Sequence, residues 1–370
     1  MTVEVGAWFQ IGRRSQTAAG GGLVVGAEPA GGAALFPLVR FLKGSLFPEF
    51  SEKMRAMPQT GKSIHVTFGA ASSSVETKPS RITLHLAMPW LAGPKEECIL
   101  SLSDGDIRES ESFSLLENSE YVAGVAILDS TRSLQEESQA IYRSLLKCCE
   151  GFHLYRCWNY VPTINVVEDH LERYRQFNAG RWLAFNEAFG QQMSTRLCAA
   201  SAVGCCGDRV VVAFLAGKHT VQHLENPHQT PAHRYPLQYG PKAPAFARAS
   251  LLNNPESRTA WLSGTASIRG SDSLGTGNLK EQLAVTWENI RTMQEVITQT
   301  WRVADAKPRT FKVYLRHPEN YIPTRDFLQN QGVDLNSAIF LHSDICRSEL
   351  DVEIEGVFEQ QNQLLIPMSQ

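Results

Sequence analysis

Trp261-Leu262-Ser263-Gly264-Thr265-Ala266-Ser267-Ile268 reads as a β-strand, and its place in the order of elements decides the fold. Leu279 to Thr300 places Leu283, Trp287, Ile290, Met293 and Ile297 on one side of a long amphipathic helix. Phe311-Lys312-Val313-Tyr314-Leu315 alternates as a strand, Thr324 to Gln331 suits a shorter helix, and strands at Ala338 to Leu341 and Asp351 to Glu355 close the series. The first half repeats that order. Tyr121 to Ala126 lies beside the Trp261 strand, a helix over Gln135 to Cys149 with Ile141, Leu145 and Leu146 beside the Leu279 helix, and Arg209 to Leu215 beside Leu350 to Gly356; a second, less regular helix covers Leu171 to Phe189. Order and spacing therefore predict two β-α-β-α-β units, 61–225 and 226–370, parted in the Pro-rich stretch Asn226 to Pro244. Ser63 to Phe68 and Arg81 to Leu86 alternate as a hairpin or meander, and residues 1–60 read as an irregular N-terminal segment.

Composition excludes several classes of function. A formal net charge of -3 over 370 residues, with no dense Lys/Arg run, argues against a nucleic-acid or polybasic membrane surface, though a pocket can still gather a few Arg for a small anion. No apolar run approaches the roughly 18 residues of a membrane span, and Leu23 to Val25 and Ala34 to Phe36 are broken by Gly/Ala/Pro-rich sequence carrying Glu28, so a cytoplasmic protein is expected. The eight cysteines form no CxxC pair and read as small buried hydrophobes of a reducing compartment. His219, His223, His228 and His233 are unevenly spaced through a loop, and no G-x-S-x-G elbow accompanies any Ser/His/Asp set, so neither a metal site nor a serine triad is expected.

Four segments go beyond pattern: Glu172 to Arg181 (ERYRQFNAGR), Arg234 to Ala249 (RYPLQYGPKAPAFARA), Ser263 to Ile268 (SGTASI), and Asp344-Ile345-Cys346-Arg347 with Val352 to Gly356 (VEIEG). Together, over about Gly151 to Gly356, they resemble the chorismatases. The resemblance implies an α+β chain of two domains similar to the trimeric chorismate mutase and RidA-like folds, with helices on one face of each sheet. It also implies a cofactor-free, metal-free enzyme that releases pyruvate from chorismate, has no nucleic-acid or membrane partner, and is a monomer or weak oligomer. Two positions depart from the family pattern: Leu237 stands where a basic residue is expected, and Arg269-Gly270-Ser271 where a His should follow Ile268.

Chorismate has two carboxylates and an enolpyruvyl ether, so its site requires planar cations and an acid that protonates the vinyl carbon. Arg248, within the most discriminating segment, is the first candidate clamp; its alternative is a structural ion pair. Arg173 and Arg181, eight apart on one helix, either point inward together or are solvated charges of the helix face. Tyr235 and Tyr239 bracket a turn-rich strip and offer phenol hydroxyls to a ligand, or else anchor a linker. Gly264 permits close approach of a ligand or, more simply, of a neighbouring strand. Strand alternation puts Glu353 and Glu355 on one face, either turned into a pocket or solvating an exposed sheet. The repeat sets Ala213 against Glu353, which suits a catalytic second copy and a non-catalytic first, with Glu353 as the general acid. Cys346, seven residues earlier, is a second catalytic candidate, because the resemblance links a Cys to the 3-hydroxybenzoate-forming members; an inert buried thiol is the alternative. Three other outcomes stay open: hydrolysis to a dihydroxycyclohexadiene carboxylate, a mixture of 3- and 4-hydroxybenzoate, and a non-catalytic ligand-binding protein of the same fold.

Overall fold

The computed structural model describes residues 61–128, 132–253 and 257–361, which belong to one compact unit, so the 1–60 segment lies outside the described residues. In chain order the strands are β1 Lys62–Phe68, β2 Ser74–Lys78, β3 Arg81–Leu86, β4 Trp90–Ala92, β5 Glu96–Leu102, β6 Asp106–Glu109, β7 Ser114–Glu117, β8 Tyr121–Ile127, β9 His153–Pro162, β10 Val167–Glu168, β11 Leu171–Glu172, β12 Ala199–Cys205, β13 Val211–Gly217, β14 Val221–Leu224, β15 Ala249–Asn253, β16 Ser257–Ala266, β17 Ile268–Arg269, β18 Asp272–Ser273, β19 Pro308–Leu315, β20 Ala338–His342 and β21 Val352–Gln361. The α-helices are α1 Leu134–Cys148, α2 Arg173–Phe189, α3 Leu279–Trp301 and α4 Tyr321–Asn330.

Two sheets carry the same topology. One has the order β12-β9-β13-β8-β7-β6; the other runs β20-β19-β21-β16-β15-β14, with β4 added beyond β20. Matching strands and helices come in the same sequence order, so the fold is α+β, and each predicted β-α-β-α-β unit is present with two further strands before it and one after it. A third sheet, β2-β3-β1-β5, is formed by the residues that precede both.

Why the strands read as nearly continuous apolar runs is clear from β13. Val212, Phe214 and Ala216 face α1 and α2, packing with Tyr142, Leu145, Phe177 and Phe185. Val211, Ala213 and Leu215 face the other way, into a core shared with Ile64, Leu84, Trp261, Tyr314 and Ile339 from the other two sheets. Both faces are dry, so polar alternation disappears. In the second unit α3 and α4 pack Leu283, Ile290, Met293, Ile297 and Leu328 on Phe311, Val313, Val352 and Ile354.

Local chemistry sets the helix ends. Ser133 and Glu136 form a capping box at the start of α1. α2 begins two residues later than its predicted start, because β10 and β11 form a tight hairpin with positive φ at Asp169 (50°) and His170 (64°). α4 begins three residues earlier than predicted, since Pro323 is tolerated in a first turn. All eight cysteines are free, but Cys98 and Cys206 are exposed, which corrects the reading of every one as a buried hydrophobe. Among the described residues no helix is long and apolar enough to cross a membrane.

Candidate active site

A cavity of about 180 Å³ lies where the two units meet, walled by β12 and α2 of the first and by the Tyr235–Arg248 strip, β16 and the Cys346–Glu349 turn of the second. The seam is closed by polar contacts to backbone: Ser250 Oγ and Ser263 Oγ accept from Ala199 N (2.7 Å) and Ala200 N (2.8 Å), and Gly264 N donates to Ser201 Oγ (3.2 Å). Glu353, Cys346, Arg248, Tyr235, Tyr239, Arg181 and Gly264 all line this cavity.

Glu353 and Glu355 project from β21 on the face opposite Val352 and Ile354 and are both buried, so the solvated-sheet reading is excluded. Their surroundings drive them to opposite protonation states. Glu355 sits among Lys312 (3.1 Å), Arg156 (2.8 Å), Trp158 Nε1 (2.9 Å) and Tyr314 Oη (3.1 Å), and accepts from Ser201 Oγ. Burial alone would raise its pKa, but Lys312 and Arg156 outweigh it and hold the group down to about 2. Glu353 has burial and the Glu355 charge acting together, opposed only by Cys346, Arg156 and Arg248, and is pushed up to about 8. Paired carboxylates driven apart in this way are the usual mark of an acid beside a permanent anion.

The seat of Glu353 is made by a bulge. Register slips between Leu262 and Thr265, so Ser263 and Gly264 of β16 oppose a single residue of β21. A Cβ on Gly264 would overlap Glu353 Oε1. Cys346 adjoins Glu353, and burial reinforced by that carboxylate raises its pKa far above the ordinary thiol range, so it keeps its proton.

Four arginines line the cavity: Arg175 is half-buried and pairs with Glu172 (3.1 Å), whereas the other three are buried. Arg248 Nη2 donates to Tyr235 Oη (2.8 Å) and Thr230 O (3.1 Å), while its Nε is buried without a hydrogen bond. Arg181, 1% exposed, lies over the Tyr142 ring (5.1 Å) with Nε and Nη2 unpartnered. Arg347 stacks on Tyr239 (3.8 Å) and leaves Nη2 free. Buried, unsatisfied cationic donors beside a cavity favour an anionic ligand.

Some expectations need correction. Arg173 does not line the cavity: it donates to Pro162 O (3.0 Å) and pairs with Glu168. Eight helical residues advance about 80° beyond two full turns, so Arg173 and Arg181 do not share a bearing. Each tyrosine hydroxyl already has one protein partner: Tyr235 Oη accepts from Arg248 (2.8 Å) and keeps its own proton to donate, and Tyr239 Oη donates to Asp272 (2.7 Å) and can still accept. Leu237 is 81% exposed, and Arg269 pairs with Glu288 (2.6 Å); neither departure from the family pattern lies in the lining. Sequence reasoning missed Arg347 as a site residue, although it comes directly after Cys346, and it missed Tyr174, Ser201 and Glu349 in the wall.

The family model described as chorismatase FkbO/Hyg5-like, N-terminal, matches residues 100–216. A 3-hydroxybenzoate synthase of Streptomyces hygroscopicus is 29% identical over 332 residues, covering 82% of this chain and 94% of that protein. A chorismatase of Streptomyces hygroscopicus is 32% identical over 249 residues, covering 64% of this chain and 71% of the relative. The crystal structure of a chorismatase superposes with a TM-score of 0.73 at 25% identity, covering 85% of this chain and 96% of that one. With the duplicated fold, the acid on β21 and the cationic cavity in place, these likenesses show that the chain belongs to the chorismatase family.

Proposed function

We propose that this chain converts chorismate to 3-hydroxybenzoate with release of pyruvate, using Glu353 as the general acid. The observation that carries this reading is a buried carboxyl group and three buried guanidinium groups in the wall of one small cavity, where burial and the Glu355 charge raise the carboxyl to about 8. Glu353 would protonate the methylene carbon of the enolpyruvyl ether, giving an oxocarbenium-like carbon that its own carboxylate then stabilises. The ring 4-hydroxyl would then attack that carbon with loss of its proton, breaking of the ring C4–O bond with loss of the C3 proton would aromatise the ring, and collapse of the remaining hemiketal would release pyruvate and leave the 3-hydroxyl. Arg248, Arg347 and Arg181 would hold the substrate carboxylates, Arg through its planar paired contact. Cys346, still a thiol, would stand beside the reacting side chain; it supports the hydroxybenzoate outcome, as does the relative named 3-hydroxybenzoate synthase.

In this reading residues 226–370 house the acid and residues 61–225 supply Arg181 and the β12 wall without an acid of their own. Incubating the purified chain with chorismate and identifying the products tests it. Equal amounts of 3-hydroxybenzoate and pyruvate support the proposal. A dihydroxycyclohexadiene carboxylate would assign hydrolysis instead, and saturable binding without pyruvate would assign a non-catalytic protein.

A further inference from the structure

Glu225 lies outside the cavity lining, yet the fold places it directly behind Arg248. Antiparallel pairing of β14 with β15 sets Leu224 opposite Ala249, and Arg248 N donates to Leu224 O (3.0 Å), so the next residues out along the two chains are Glu225 and Arg248. Their side chains meet there, with Arg248 Nε 4.0 Å from Glu225 Oε2. Both of these atoms are buried and neither has a hydrogen-bond partner. The other arm of the guanidinium is already held by Tyr235 and Thr230. Arg248 is therefore fixed at one end and, at Nε, answered by a carboxylate just too far away to bond.

We propose that Glu225 is a positioning residue that sets the affinity of Arg248 for a substrate carboxylate without touching the substrate. The inference rests on the reading of the cavity as a site for chorismate. An ionised Glu225 draws on the Arg248 charge and opposes an incoming anion; a protonated one leaves that charge to the ligand. The charged groups facing Glu225 are Arg248 and, from the short turn Ala232–Arg234, Arg234. Burial outweighs both, and its carboxyl is raised to about 7. Its side chain is 33% exposed, so solvent can supply the proton. Binding of a dianion then draws a proton onto Glu225, and affinity falls as pH rises through neutrality.

Steady-state turnover of chorismate by wild type and Glu225→Gln, each from about pH 6 to about pH 8, tests the role. The ratio of wild-type KM to variant KM should climb at least about fivefold across that range, the lower end of ordinary site–site coupling, while the ratio of kcat values stays constant. Glu353 titrates in both proteins and cancels. A KM ratio that is flat with pH overturns the proposal, as does a change confined to kcat. Should Glu225→Gln not fold, chorismate binding to Glu353→Gln decides instead, because there Glu225 is the remaining raised carboxyl at the site: the dissociation constant must rise with pH and binding must take up a proton, and constancy of both overturns the proposal. Wild type that neither turns over nor binds chorismate removes the functional reading and this one together. Turnover with a pH-independent KM ratio removes only this one.

Discussion

Gly264 and Glu353 are shaped to one another: the missing side chain of the first is the space that the carboxyl of the second occupies. The bulge in β16 holds that glycine opposite β21. Gly264→Ala should thus displace the acid without touching the substrate clamps. Overpacking of this kind costs roughly 1–3 kcal/mol of stability. The expected result is a folded protein with a lowered thermal midpoint and a kcat reduced far more than the affinity for chorismate; unchanged kcat would show that the carboxyl position is not critical.

Glu353→Gln keeps the shape of the side chain and removes its proton. Pyruvate release should be lost while chorismate still binds, measured by product assay and by titration calorimetry. Near-normal turnover would remove Glu353 from the mechanism.

The same group links activity and stability to pH. An acid must be protonated to act, so kcat should fall as pH rises through about 8. For stability, the native carboxyl holds its proton up to about 8 whereas the unfolded one loses it near 4.5, so the folded state binds more protons between those values and stability declines with rising pH across them. Glu353→Gln has no such decline. At about pH 8 it should be more stable than wild type, by roughly 2–4 kcal/mol, in denaturant titrations run at several pH values. A variant that tracks wild type at every pH would show that Glu353 is not held neutral.

Arg248→Lys retains a charge but loses the planar contact, and Arg248→Ala loses both. Alanine should weaken transition-state binding by about 2–5 kcal/mol in kcat/KM, with lysine intermediate. If both variants lose thermal stability yet keep wild-type constants in the folded fraction, Arg248 is structural, and Arg347 and Arg181 become the candidates.

Glu355 tests the opposite role. It is surrounded by Arg156, Lys312 and Ser201 and has no free donor to offer a substrate. Glu355→Gln leaves buried Arg156 without a counter-charge and Lys312 with Glu97 alone, which should cost about 3–5 kcal/mol and register as a sharp fall in the thermal midpoint. A midpoint close to wild type would mean that the cluster contributes little.

Much of the fold was legible in the chain. The repeat could be read because β8 and β16, α1 and α3, and β13 and β21 retain apolar patterns of matching order. The strand β9 was not foreseen. Every residue after His153 is buried there, but Arg156 and Asn159 interrupt the apolar run, and only the fold reveals that Arg156 pairs with Glu355 and that Asn159 is bonded by Ser201 O and Tyr142 Oη. The site was legible where a residue type is itself unusual: an acid between Val352 and Ile354, or an Arg flanked by apolar neighbours. It was hidden where orientation decides. Arg173 and Arg347 are both arginines in segments resembling the family, and helix rotation turns the first away while a loop brings the second over Tyr239.

The charged cluster around Glu355 draws its members from β9, β12, β19 and β21, and through Lys312 it also reaches Glu97 of β5. Each partner is neutralised by a group that another sheet provides. The two halves of this chain are thus no longer exchangeable copies: a chimera taking one half from a distant relative would bury an unmatched charge at the seam unless its counterpart travelled with it. One architecture is used twice, and these charges make the two halves obligate companions.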